Sequence, residues 1–229
     1  MLLYLGVGAV AAATLLYEVA LTRIFSIAYG YHFAFLAMSL GLLGFGASGT
    51  LLGLRPPSHQ PLRPALLARL AAVASLALVC GYGVSNLIPF DPYRVGWEPS
   101  QLTLLGAYLL CYAVAFLFAG LVLGLPLMRW PERAPGLYGA NLAGSAAGAM
   151  TALVVLDRAD PTMAVLLAGL TAALGSLGFA YARSGAGASA GLARRADRFV
   201  GLTAAGLVLV LLWQTPSWFE IRLSPYKPL

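Results

Sequence analysis

The chain has 229 residues, 60% of them hydrophobic and 10% charged, with a net charge of +6 and a mean hydropathy of +0.84. A soluble domain carries about 25% charged residues, so a protein solvated on all sides is excluded. Apolar runs of ~20 residues recur, each able to cross a hydrocarbon core of ~30 Å, and none shows the ten-residue alternation of a membrane β-barrel. The expected fold is all-α: a polytopic integral membrane bundle of about seven transmembrane helices.

The spans are expected at Leu2–Leu21, Phe33–Leu54, Pro64–Ile88, Leu102–Leu125, Gly136–Leu156, Thr162–Ala182 and Phe199–Trp213. The first has no Lys or Arg before its apolar run and continues to Leu21, which fits a membrane helix better than a signal peptide. Breaks at Pro56-Pro57, Pro89-Phe90-Asp91-Pro92, Pro126, Pro131, Pro161 and Pro216 separate most spans, because proline lacks the N–H that a helix interior needs. Ser184–Asp197 is Gly/Ala/Ser-rich and then basic, which reads as a flexible linker facing anionic headgroups. Trp97, Trp130, Trp213 and Trp218 fall near span ends, where amphipathic rings prefer to sit.

With the N-terminus in the cytoplasm, nine basic residues lie inside: Arg55, Arg63, Arg69, Arg129, Arg133, Arg183, Arg194, Arg195 and Arg198. Five lie outside: Arg23, Arg94, Arg158, Arg222 and Lys227. This positive-inside bias accounts for the net charge without a nucleic-acid partner, and seven spans then put the C-terminus outside. Cys80 and Cys111 lie in apolar runs without a CxxC pair. They read as small buried hydrophobes, with a disulfide as the alternative, and no metal or cofactor is expected.

The stretch Glu18–Gly53 carries most of the polar chemistry. Glu18 lies about one turn before the expected end of the first span, and Arg23 follows five residues on. An ionised carboxylate within a membrane costs a few kcal/mol and therefore faces a partner or a cavity. Two readings stay open: a Glu18–Arg23 pair fixing the helix end, or a polar pocket of Glu18, Arg23, Tyr29, Tyr31 and His32. The second span is rich in small residues, with Gly41, Gly44, Gly49 and Gly53. The fifth carries Gly136, Ala140, Gly144 and Gly148 at steps of four. Such stripes let helices approach closely. These two are expected to pack, against each other or in a homo-oligomer. Asn141 is expected to hydrogen-bond across helices.

Gly46-Ala47-Ser48-Gly49 matches the GxSG serine motif of rhomboid proteases. A nucleophile needs a base within hydrogen-bond reach. His32 lies sixteen residues earlier on the same helix, about 24 Å along the axis, and His59 lies in the following loop. No catalytic residue is assigned. Gly41-Leu42-Leu43-Gly44-Phe45-Gly46 lies inside a span and lacks the strand and Lys-Ser/Thr of a nucleotide loop.

Three stretches together, Glu18–Gly53, Arg129–Met150 and Ser224-Pro225-Tyr226-Lys227, resemble the membrane-embedded N-terminal part of bacterial spermidine-synthase-like proteins. The resemblance implies a membrane domain over 1–217 and a junction over 218–229. A soluble aminopropyltransferase-like domain would follow, in a bacterial inner membrane. In soluble relatives that domain begins near a Ser-x-Tyr-Gln, where lysine stands here. The glycine-rich donor loop and catalytic aspartate would lie beyond Leu229, so the resemblance assigns no catalysis to these residues. It also implies a cytoplasmic aminopropyl donor, whereas the charge count places Tyr226 outside. Besides a membrane anchor with a docking face at its outer end, the residues leave open a transporter or small-molecule-binding module, and an accessory subunit of a larger membrane complex.

Overall fold

A computed structural model of the protein describes residues 1–54, 62, 64–182, 188–213 and 219–221, with only the backbone described at 188–197 and 212. Pro56-Pro57, Arg55, His59, Arg63, Arg183, Pro216, Trp218, Arg222, Lys227 and the Ser224-Pro225-Tyr226 motif lie outside the described residues, as do the side chains of Arg194, Arg195 and Asp197. The described chain folds into seven α-helices: α1 Leu2–Tyr29, α2 Ala34–Leu54, α3 Pro64–Leu87, α4 Ser100–Arg129, α5 Ala134–Arg158, α6 Pro161–Tyr181 and α7 Ala188–Trp213. Short 3-10 turns at Tyr31–Phe33, Pro92–Arg94 and Pro131–Arg133 make the tight connections. The protein is an all-α, multi-pass membrane bundle: α1 to α6 are each long and apolar enough to cross a membrane.

The seventh helix is different. Its apolar part is Arg198–Leu211, about 21 Å at 1.5 Å per residue. It nevertheless runs most of the height of α6. Space at Gly201 is closed by Leu177 and Ser176, and Val208 lies beside Gly169, so the antiparallel register brings Trp213 level with Ala164. The helix starts at Ala188, where the sequence suggested a flexible linker up to Asp197. Alanine, leucine and arginine are strong helix formers, and Ala188–Asp197 holds enough of them to extend the helix despite its glycine.

Local chemistry sets the turns. Gly30 ends α1 with φ +111°, a backbone conformation that a side chain would strain. Proline in the first turn starts α5 and α6, where its missing N–H has no helical partner to lose. Before α4, the Asp91 carboxylate accepts from the Tyr93 N–H at 3.0 Å. Two further boundaries differ from expectation by about a turn or more. Pro126 lies inside α4, in its last turns, and the helix continues to Arg129. The first helix runs eight residues past Leu21, because Thr22–Tyr29 keeps a buried face of Ile24, Phe25, Ala28 and Tyr29.

The helices alternate in direction around α1, which packs mainly against α5 and α6 and also against α2 and α4. Its C-terminus, with those of α3, α5 and α7, defines one end of the bundle, called here the Tyr29 end. The other is the Met1 end. At the Met1 end, the core is built of Val7, Val10, Leu67, Val122, Leu137 and Phe179. The Tyr29 half is aromatic: Tyr17, Phe25, Tyr29, Tyr82, Phe90, Tyr108, Tyr112, Phe116 and Phe219 share one core.

Small residues set how close the helices come, and the structure corrects their expected pairing. Each stripe packs on a third helix rather than on the other. On α5, a methyl added at Gly144 would land on the Gly8 carbonyl of α1, and one at Gly148 on the Ala12 carbonyl. Gly136 faces the Tyr4 ring, and the Ala140 carbonyl lies against Gly8. On α2, Gly44 faces Phe116 and the backbone of Ala113 and Leu117 on α4. The GxxxG step of Gly49 and Gly53 has open space beside it and faces the exterior of the bundle.

Candidate functional site

Glu18 is the polar residue whose position changes most. Because α1 runs on to Tyr29, Glu18 lies eleven residues inside the helix, about 16 Å from its end, rather than one turn. Arg23 sits on the same continuous helix, five residues on. That separation is about 140° around the axis at 3.6 residues per turn, so the two point to different faces. Among the described residues no ion pair joins them. The half-buried Glu18 carboxyl instead lies flat against Gly41 of α2, 3.6 Å from where a Cβ would stand. A glycine there leaves the room that the carboxyl occupies.

The five residues grouped as a polar pocket do not converge. Arg23 is exposed. Tyr31 and His32 are exposed beyond the end of α1, with their rings 3.8 Å apart. Tyr29 turns inward, its ring 5.8 Å from Phe33 and 6.0 Å from Phe90, while its carbonyl accepts from the Tyr93 hydroxyl at 2.6 Å. The turn that breaks α1 at Gly30 separates the inward Tyr29 from the outward Tyr31 and His32. Asn141 is half-buried on α5 and makes no hydrogen bond across a helix interface among the described residues.

Ser48 is enclosed in the packing of α2 on α4. Its buried hydroxyl donates to the Phe45 carbonyl at 2.7 Å within α2, and Gly120 of α4 closes over it. Cys80 and Cys111 are free, and Cys80 is exposed on the lipid side of α3 rather than buried. Among the described residues no group of His, Cys, Asp and Glu could hold a metal.

A polar feature that the sequence reading missed lies in the aromatic half of the core. Tyr17 of α1, Tyr82 and Ser85 of α3, and Tyr108 and Tyr112 of α4 are buried together. The Ser85 hydroxyl donates to the Tyr82 carbonyl at 2.7 Å. Its oxygen also lies 2.6 Å from the Tyr112 hydroxyl, which is 3.3 Å from that of Tyr108. The rings pack edge to face, with Phe25 5.2 Å from Tyr112 at an interplanar angle of 89°, a geometry that aromatic quadrupoles favour. Among the described residues the buried Tyr17 hydroxyl has no hydrogen-bond partner, and the Tyr82 hydroxyl has the Asn86 amide beside it. An unmet hydroxyl in an apolar interior costs about 1–3 kcal/mol. The signal available in sequence was the recurrence of tyrosine at Tyr17, Tyr82, Tyr108 and Tyr112, inside spans otherwise aliphatic.

The chain after α7 returns to this core. Phe219 is 1% exposed, its ring 4.8 Å from that of Tyr82, and the Asn86 amide donates to the Glu220 carbonyl at 3.2 Å. Ile221 packs on the same cluster. The tail is thus clamped at the Tyr29 end, beside the C-terminus of α3. No protein-family profile, curated protein or solved structure matches this chain.

Proposed function

We propose that the chain is the membrane module of a spermidine-synthase-like protein, anchoring a soluble aminopropyltransferase-like domain at the Tyr29 end without catalysing a reaction itself. The clamp on Phe219, Glu220 and Ile221 carries this reading. A tail that only left the membrane would have no reason to bury a phenylalanine against Tyr82, whereas a tail that positions an attached domain needs a fixed exit. Exposed Tyr31 and His32 lie at the same end and would form part of the docking face. The positive-inside count supports an inner-membrane protein with its Met1 end in the cytoplasm.

Two experiments test the proposal. A phosphatase fused after Leu229 is expected to be active in the periplasm, and fluorescence from a green fluorescent protein at the same point would overturn the orientation. With the native cysteines removed, Tyr31→Cys is expected to react with an impermeant maleimide. A soluble aminopropyltransferase-like domain attached after Leu229 is expected to protect it. Equal labelling with and without that domain would overturn docking.

A second reading, a small-molecule-binding or transport module, is favoured by Glu18. An intramembrane carboxylate without an ionic partner is a candidate site for a cation or a proton. Loss of substrate binding or flux in Glu18→Gln, with the fold retained, would favour it over the anchor.

A further inference from the structure

Glu18 is the one ionisable acid or base in the middle third of any helix from α1 to α6. It stands sixteen residues after Leu2 and eleven before Tyr29, about 24 Å and 16 Å along the axis. No charged residue occurs in α2, in α6, in α4 before Arg129 or in α5 before Asp157. On α3 only Arg69 is charged, close to the Met1 end, and on α1 only Arg23, on a different face. Among the described residues, no cation of the chain stands opposite the carboxyl. That carboxyl lies on an uncovered strip of α1. At about 100° per residue, Ala12, Leu15, Thr22 and Glu18 follow one another around the axis over about 120°, from beneath Gly148 of α5 to beside Gly41 of α2. Both α2 and α5 pack on α1 but hardly on each other. Between them Leu15, Glu18 and Thr22 stay half-buried, whereas Leu16, Tyr17 and Ala20 at the same depth are enclosed. Met38 of α2, one turn before Gly41, is exposed.

A charge at this depth is costly and is retained where it meets a partner. The chemistry of the strip narrows what that partner is. One carboxylate balances one positive charge. A calcium ion takes about six to eight oxygen ligands, whereas the strip offers the carboxyl oxygens of Glu18 and the Thr22 hydroxyl, whose proton goes to the Val19 carbonyl at 2.7 Å. The rest of the strip is apolar, and at mid-depth it opens on lipid rather than on water. We propose, on the reading of the chain as a binding module, that this strip binds a monovalent lipophilic cation: an ammonium or equivalent charged head on an apolar body. The head pairs with Glu18 in the notch left by Gly41, and the body lies along Leu15 and Met38. Such a ligand reaches the site sideways through the bilayer, and its pair with Glu18 carries no net charge.

Binding of tritiated tetraphenylphosphonium to the chain in lipid nanodiscs, measured above that of empty nanodiscs, tests this. The unmodified chain is expected to bind it saturably. Glu18→Gln is expected to bind at least about tenfold more weakly, the loss that follows when one member of a desolvated charge pair is removed. Glu18→Asp keeps the charge and should retain part of the affinity. Gly53→Ala, in open space near the Met1 end of α2, should leave it unchanged. Equal binding by the unmodified chain and Glu18→Gln overturns the proposal, as does competition by sodium or calcium as effective as that by unlabelled probe. An unfolding midpoint that depends on inorganic cations, without any binding of tetraphenylphosphonium, overturns this inference and leaves the binding-module reading standing. Absence of both effects overturns both. Should Glu18→Gln fail to fold, a diazirine-bearing alkylammonium is cross-linked to the unmodified chain. Label on residues 15–22 or around Met38 supports the site, and label confined to other helices overturns it.

Discussion

Gly144 of α5 lies directly over the carbonyl of Gly8 on α1, and Gly148 repeats the contact one turn on, over Ala12. The gain on folding inside a membrane is van der Waals contact and not release of water, so backbone approach carries this interface. Gly144→Ala and Gly148→Ala are each expected to destabilise the bundle by about 1–3 kcal/mol, the usual cost of overpacking, and leucine by more. Gly49→Ala and Gly53→Ala meet open space and should leave unfolding in detergent unchanged. Equal sensitivity of the two stripes would show that α2 has a partner through Gly49 and Gly53.

The contact of α2 with α4 is more specific. A methyl at Gly120 would strike the Oγ and Cβ of Ser48 and the Phe45 ring. Gly120→Ala should therefore cost about 1–3 kcal/mol, and Ser48→Gly should recover part of it in the double variant, because the two residues compete for one space. Thermal unfolding of the two single variants and the double variant measures this. Additive losses would mean that Ser48 is not what Gly120 accommodates.

Spans and packing differ in how far the sequence reveals them. Hydropathy and proline punctuation place five helices, α2 to α6, to within a few residues, because the bilayer fixes their length and composition. Helix ends are less legible. Nothing in Thr22–Tyr29 distinguishes apolar helix from apolar loop, and the eight added residues carried Glu18 deep into α1. Partner choice is less legible again. The stripe on α5 announces close approach, yet only the three-dimensional order of the helices decides that Gly8 and Ala12 receive it. The tyrosine cluster was invisible for the same reason: Tyr17, Tyr82 and Tyr112 are far apart in sequence, and each alone resembles an ordinary interfacial residue.

The clamp on the tail is testable without any soluble domain. Phe219 fills the space against Tyr82, and Phe219→Ala would remove a fully buried ring, a change that costs about 3–5 kcal/mol in well-packed cores. Most of that loss is expected to appear as local release of the tail. Limited proteolysis after Trp213 should accelerate in Phe219→Ala, while the global unfolding midpoint falls less. Asn86→Ala should act in the same direction more weakly, through its single hydrogen bond to Glu220. Unchanged proteolysis would remove the main support for a fixed exit.

Glu18 separates the anchor from the binding module. Its carboxyl is half-buried beside Gly41, and a charge at such depth costs about 2.5–3.5 kcal/mol on insertion scales. If Glu18 only tolerates this position, Glu18→Gln relieves the cost with almost the same shape, and stability should rise by about 1 kcal/mol or more. Gly41→Leu should then be damaging, because the side chain takes the room of the carboxyl, and Glu18→Ala should restore part of the loss. If the carboxylate binds a cation, Glu18→Gln still raises the stability measured without the cation, while the stabilisation that the cation supplies is lost. Unfolding measured with and without added cations distinguishes the two. A cation-dependent midpoint in the unmodified chain that disappears in Glu18→Gln supports a site, and a midpoint independent of cations in both supports the anchor.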